Sequence, residues 1–275
     1  MKFSKYHALG NDYIVIDPKN LDGKLSDLDI KTICNRNYGV GSDGILYGPE
    51  GSETCDFSLK IFNPDSSEAE ISGNGLRIFS RYLWDQSLVT NREFSIETKG
   101  GVVSSTVGEK GLLVSVGMGK VRFTHDLTGE PKLTPEKINI KGREFTYYLA
   151  NIGNPHCVII LDDINDSIIK EYGCIIEKDA RFINRTNIQF VKVIDRSSIQ
   201  IEIWERGAGY TLASGSSSTA AASVVYSLGL CDSTVNVQMP GGEINIEIDE
   251  SFFVTMTGPV CKICEGSFAG EALNH

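Results

Sequence analysis

Two serines stand where this sequence could move protons. In "AEISGNGLRIF" (69–79) Ser72 precedes Gly-Asn-Gly and an apolar run at helical spacing. In "TLASGSSSTAAASVV" (211–225) Ser214 does the same, 142 positions later. A helix start leaves about four backbone N–H groups without intrahelical acceptors and carries partial positive charge. Glycine in the first turn lets a ligand approach those amides closely. Such a start can hold a carboxylate and stabilise the charge that develops when the adjacent carbon loses its proton. Two of them suit chemistry at the α-carbon of an amino acid, with one acid/base group for each face. Serine has a plainer role as well, since it is a favoured N-cap that stabilises a helix by about 1 kcal/mol over alanine.

The elements that must position these serines repeat. Asn63 lies nine residues before Ser72 and Glu205 nine before Ser214, each after an aromatic residue that ends a strand pattern, Phe62 and Trp204. Two copies of strand, polar loop, Ser-Gly and buried helix predict two similar halves. Packed about a pseudo-two-fold axis, they would bring both helix starts to one cleft. Alternating or β-branched runs are frequent, among them "YIVID", "FSLKIFN", "HCVIIL", "IQFVKVI", "SIQIEIWE" and "FFVTMTG". Helical patterns are fewer, at 25–37, 74–87, 216–229 and more weakly in "SIIKEYGCII". The pattern predicts an α+β fold of two halves, each a sheet around a central helix. The weakest patterning, near 119–142, is read as the crossing between them.

Other motifs carry less. "GVGSDG" (39–44) fits G-x-G-x-x-G, but no strand pattern precedes it and no helix pattern follows, so it reads as a turn. His156 lies in "NIGNPHCVII", a turn entering a strand; His7 precedes a Gly-Asn turn, His125 sits in the weak segment and His275 is terminal. The seven cysteines include one close pair, Cys261 and Cys264, with no second pair to complete a zinc ribbon. Odd in number and spread along the chain, they suit a reducing compartment. The longest apolar runs are far short of a membrane span of roughly 20 residues, and the N-terminus lacks a signal-peptide core, so cytoplasmic residence is expected. A net charge of −10 without basic runs speaks against nucleic acid and anionic membranes. A small zwitterion, recognised locally, remains.

Taken together, "HALGNDYIVID", "FNPDSSEAEISGNGLRIF", "NIGNPHCV", "RTNIQFV", "WERGAGYTLASGSSSTAA" and "QMPGG" resemble diaminopimelate epimerase, in family order and across nearly the whole chain. The resemblance implies two α/β halves, spanning 1–117 with 263–275 and 118–262. It implies a homodimer and an epimerase that interconverts LL- and meso-diaminopimelate for lysine and peptidoglycan precursor synthesis. No cofactor, pyridoxal phosphate or metal is implied. Asn11, Asn63, Asn154, Asn187, Glu205 and Arg206 match positions that hold the substrate, chiefly its distal end, where Arg suits a carboxylate. The amides of Gly73, Asn74, Gly215 and Ser216 match those that cradle the reacting carboxylate.

One departure outweighs the rest. The family's acid/base pair is two cysteines, and here those positions are Ser72 and Ser214. A thiol titrates near 8.5 and lower at a helix start, whereas an alcohol is a far weaker acid. General base catalysis wants a group that titrates near the working pH. The exchange of sulfur for oxygen should remove most two-base activity while leaving a mould that still binds. Three readings stay open: deliberate substitution, a divergent isomerase whose base is Glu205 or His156, and an amino-acid-binding protein without turnover. Tyr210 also stands where the family often has Glu.

Overall fold

β1 (Lys2–Ala8) buries every second residue, Ser4, Tyr6 and Ala8, and the chain turns back into β2 (Asn11–Ile16), buried along most of its length. α1 (Asp27–Cys34) opens on a capping box between Ser26 and Asp29 and crosses to β3 (Ile45–Glu50), parallel to β2. β4 (Phe57–Phe62) returns antiparallel and carries the short β5 (Glu68–Ala69). α2 (Gly73–Asp85) crosses to β6 (Phe94–Thr98), parallel to β4, and β7 (Gly101–Val107) and β8 (Leu113–Lys120) follow antiparallel. This is a computed structural model, and it describes residues 1–21, 23–90, 92–123 and 133–273.

The second half repeats that order. After β9 (Arg122–Phe123) and β10 (Glu136–Ile140), β11 (Arg143–Asn151) pairs antiparallel with β12 (Pro155–Ile160). α3 (Asp166–Ile176) crosses to β13 (Asn187–Asp195), parallel to β12. β14 (Ser198–Glu205) returns antiparallel and carries β15 (Gly209–Thr211). α4 (Gly215–Ser227) crosses to β16 (Thr234–Met239), parallel to β14, and β17 (Gly242–Ile248) and β18 (Phe253–Pro259) close the series. β19 (Cys261–Ser267) ends the chain against β1. Parallel pairs need crossovers, and each half supplies them with its two helices. The chain divides into unit 1, Met1–Val116 with Gly258–His275, and unit 2, Gly117–Thr257.

Within each unit the second helix is the core. α2 packs on β1, β2, β3 and β7, with Leu76, Ile78, Phe79 and Leu83 fully buried, each contributing about 1.5–3 kcal/mol. α4 packs on β11 to β14, β16 and β17, and its buried run from Ser217 to Val225 is small or β-branched on every side. A helix buried all round is the expected result of a sheet wrapped about it. The α+β architecture read from the sequence is therefore observed. The weak segment 119–142 is better structured than its pattern suggests: it contains β9 and β10, while 124–132, with His125, lie outside the described residues, as does His275. Cys261 and Cys264 are both exposed thiols on β19.

Candidate active site

In unit 1, Ser72 is the N-cap of α2, and its Oγ accepts the Gly75 N–H at 3.1 Å. The Tyr13 hydroxyl, from β2, lies 3.2 Å from the same oxygen. Gly73 and Asn74 are the first two residues of α2, where no intrahelical acceptor exists for their amides.

One turn deeper is a cation without a carboxylate. Arg77 is fully buried, and its Nη2 donates to Asn74 Oδ1 at 2.6 Å, while Nε and Nη1 find no hydrogen-bond partner among the described residues. Burial draws the guanidinium down to about 10. Because arginine only donates, Asn74 must present its carbonyl to it and turn its Nδ2 away, to Asn11 Oδ1 at 3.0 Å. Asn11 then donates from Nδ2 to Asp43 at 2.8 Å, and Arg36 holds both Asp43 and Asp12 at 2.8 Å. The orientation of two side-chain amides follows from one end of this chain.

A buried unpaired charge gives little stability, and a well-packed apolar replacement is often neutral or favourable. Arg77→Met is therefore expected to shift the melting temperature by less than about 4 °C, the lost charge penalty offsetting an orphaned Asn74 carbonyl. A thermal melt showing a fall beyond about 10 °C would mean that the guanidinium has a strong partner after all.

Asn63 takes no part in this chain. Its Nδ2 donates to Ser67 Oγ at 2.9 Å, and its backbone closes the turn with Ser66 and Ser67.

In unit 2, Ser214 caps α4, accepting the Ser217 N–H at 3.4 Å with Ser216 Oγ at 3.5 Å. Gly215 and Ser216 open the helix. Glu205 ends β14, nine residues before the Ser214 cap. Burial raises its pKa above the usual carboxylate range, and the Ser214 and Thr211 hydroxyls offset only part of that. Beyond it the chain turns through Gly207, at a φ of 79° that favours glycine. The buried Glu177 pins this turn, accepting from the Trp204 indole at 2.9 Å and the Gly207 N–H at 3.0 Å.

The ends of β12, β13 and β14 gather the remaining residues. Asn187 donates from Nδ2 to the Pro155 carbonyl at 2.9 Å and accepts the Arg206 N–H at 3.0 Å. The Arg206 side chain is exposed and donates to the Asn184 carbonyl at 3.2 Å. His156 is fully buried, with Nε2 at 2.9 Å from Asn154 Oδ1, so that Nε2 carries the proton. Desolvation lowers its pKa to about 3, with Gln189 pulling the other way and Arg206 adding to the fall. An imidazole of that basicity is neutral at ordinary pH and a poor general base.

The structure thus joins Asn74 with Asn11 and Ser72 with Tyr13 in unit 1, and Asn187 with Arg206 and His156 with Asn154 in unit 2. Sequence reasoning missed Tyr13, read only as strand, and Arg77, a charge inside a helix run that ordinarily marks a solvated face. Glu177 was missed too, because nothing in its surroundings announces a turn 30 residues away.

No helix among the described residues is long and apolar enough to cross a membrane. A family model described as diaminopimelate epimerase matches residues 3–124 and 148–263. Diaminopimelate epimerase 2 of Nostoc sp. is 57% identical over 98% of this chain and 96% of its own. The diaminopimelate epimerase of Prochlorococcus marinus is 37% identical over 96% and 97%. Among solved structures, a probable proline racemase from Agrobacterium radiobacter superposes with a TM-score of 0.74 at 13% identity, covering 99% of this chain and 95% of its own. A PhzF-family phenazine biosynthesis protein of Bacillus anthracis reaches 0.70 at 15% identity, covering 98% and 99%. These two share the fold. With the family model and full-length relatives matching almost every element that builds the two serine-headed helix starts, this chain belongs to the diaminopimelate epimerase family.

Proposed function

We propose that the chain inverts an α-carbon of diaminopimelate by acid–base proton transfer, with neither pyridoxal phosphate nor metal. Inversion needs an acid/base group for each face of the carbon, and each unit carries one serine at the head of a buried helix. The observation that most supports catalysis, rather than binding alone, is that both serines cap the first turn of a helix through their own Oγ, with Glu205 closing the strand that leads to Ser214. Glu205 accepts the Ser214 proton as Ser214 Oγ takes the α-proton, so the carboxylate supplies the basicity that an alcohol lacks. Its raised pKa moves it toward the working pH. The negative charge left on the substrate is met by helix-start amides, those of Gly73 and Asn74 and those of Gly215 and Ser216. Asn11, Asn63, Asn154, Asn187 and Arg206 hold the distal amino-acid end, with Arg206 suited to its carboxylate. His156 serves by fixing the Asn154 amide, its own basicity being too low for proton abstraction. The reading includes a cytoplasmic homodimer serving lysine and cell-wall precursor synthesis.

Calorimetry with meso-diaminopimelate, together with deuterium uptake at its α-carbon in D₂O, tests this. Binding with slow but measurable uptake is expected, and absence of binding would refute the substrate assignment. Uptake should rise with pH as Glu205 ionises, with a midpoint above the ordinary Glu range. Glu205→Gln is expected to lower uptake about a hundredfold and to erase that acid limb.

A further inference from the structure

Ser72 carries an alcohol, and an alcohol needs help to move a proton. What the fold places there is Tyr13. Its hydroxyl lies 3.2 Å from Ser72 Oγ, across 59 residues of chain, and the residue is 7% exposed.

The phenol's place is built. β2 is held on both sides, with Tyr13 opposite Tyr6 of β1 and the Ile14 N–H donating to the Gly44 carbonyl at 3.1 Å. Gly44 also lets the ring pass, because a Cβ there would come within 2.6 Å of Tyr13 Cε1. The glycine of the "GVGSDG" turn that no nucleotide reading could use therefore has a steric task.

The chemistry of the pair has a direction. Ser72 Oγ already accepts the Gly75 N–H at 3.1 Å. Either hydroxyl can donate across the 3.2 Å contact, and the phenol is the stronger acid of the two, so Tyr13 can give its proton to Ser72. An oxygen that accepts two hydrogen bonds is stabilised as it turns into an alkoxide, and its own proton is left to aim elsewhere.

We propose that Tyr13 is the proton-relay partner of Ser72 and that the two hydroxyls together replace a thiol. As Ser72 protonates the α-carbanion, its O–H bond breaks and a C–H bond forms. The Tyr13 O–H bond breaks and restores the Ser72 hydroxyl, and the phenolate regains its proton from solvent water. In the reverse direction the phenolate takes the Ser72 proton while Ser72 Oγ takes the α-proton. Tyr13 acts through Ser72 and positions a proton for it. The inference rests on the epimerase reading above, since it gives Ser72 a carbanion to protonate.

The test compares the full-length protein with Tyr13→Phe, Ser72→Cys and the double variant, each measured for deuterium uptake at the α-carbon of LL- and meso-diaminopimelate and for binding by calorimetry. Tyr13→Phe keeps the ring and the helix cap, and a melt checks that it folds. The expected result is a fall in kcat of at least about tenfold, with KM within about twofold of the parent. In the Ser72→Cys background the same change should cost less than about threefold, because a thiol titrates without a relay. An unchanged kcat in Tyr13→Phe overturns the relay and leaves the epimerase reading intact. An equal loss in both backgrounds overturns it too, since that is what a packing role would give. Binding of diaminopimelate by a parent that shows no uptake removes the relay but keeps the substrate, and absence of both removes the function as well.

Discussion

Replacing Ser72 and Ser214 together by cysteine is expected to raise α-proton exchange on diaminopimelate by about two to four orders of magnitude. Both helix starts are already in place, and only the acidity of the group at the cap is unsuited to the task. A thiol titrates near 8.5 and is drawn lower by a helix N-terminus, so a useful thiolate fraction exists at neutral pH. The double variant should exceed the product of the two single gains, because inversion needs a competent group for each face. Stability should move the opposite way. Both serines accept a first-turn amide, Gly75 at 3.1 Å and Ser217 at 3.4 Å, and cysteine is a weaker acceptor. The double change should cost about 1–2 kcal/mol, read as a lower melting temperature. A faster and less stable protein is the signature of the assignment. If the double variant binds diaminopimelate and exchanges its α-proton no faster than the parent, these two positions are not the proton carriers.

Acid should destabilise the protein through His156 more than through any surface group. The imidazole is fully buried and titrates near 3, against 6.5 for a free side chain. Between those values the unfolded chain binds a proton that the folded chain refuses. The stability this group contributes is therefore complete above pH 6.5 and is lost as the pH falls toward 3. The slope is at most about 1.4 kcal/mol per pH unit, which amounts to about 3 kcal/mol by pH 4. His156→Gln should lower stability at pH 7, since Asn154 loses the partner at 2.9 Å, and should flatten the acid limb. Urea midpoints of parent and variant at pH 7 and pH 5, followed by tryptophan fluorescence, measure this. The carboxylates are common to both proteins and cancel in the comparison. Parallel pH profiles would show that the imidazole is protonated in the folded state.

How far the sequence foretold these features depends on their range along the chain. Ser72 and Ser214 announced themselves because a cap, a glycine and an apolar period are local signals, and both helices begin at the next residue. The repeat was legible for the same reason, as strand end, polar loop and helix start recur at one spacing. β1, β10 and β11 were passed over because lysines, glutamates and tyrosines interrupt their alternation, and pairing with neighbours decides them. Arg77 inverted the usual rule, its charge enclosed on a stretch of α2 that the surrounding strands bury. Tyr13 and Ser72, or Glu177 and Gly207, meet only after folding, and periodicity gives the face of an element without naming what it touches. Asn63 shows the converse. Its position matched the repeat, and no local signal announced that its Nδ2 is engaged within its own turn by Ser67.

The bonds around Asn74 also bear on how the folded chain ages. Asparagine followed by glycine, as Asn74 is by Gly75, is prone to deamidate in a flexible peptide, when the next backbone nitrogen attacks the side-chain carbonyl carbon. Here the carboxamide is tethered at its oxygen by Arg77 and at its nitrogen to Asn11, and the attacking nitrogen is itself engaged by Ser72. Cyclisation would have to break all three, so the intact fold keeps this pair chemically durable, and the isoaspartate that would ruin the helix start forms only in chains that have already come apart.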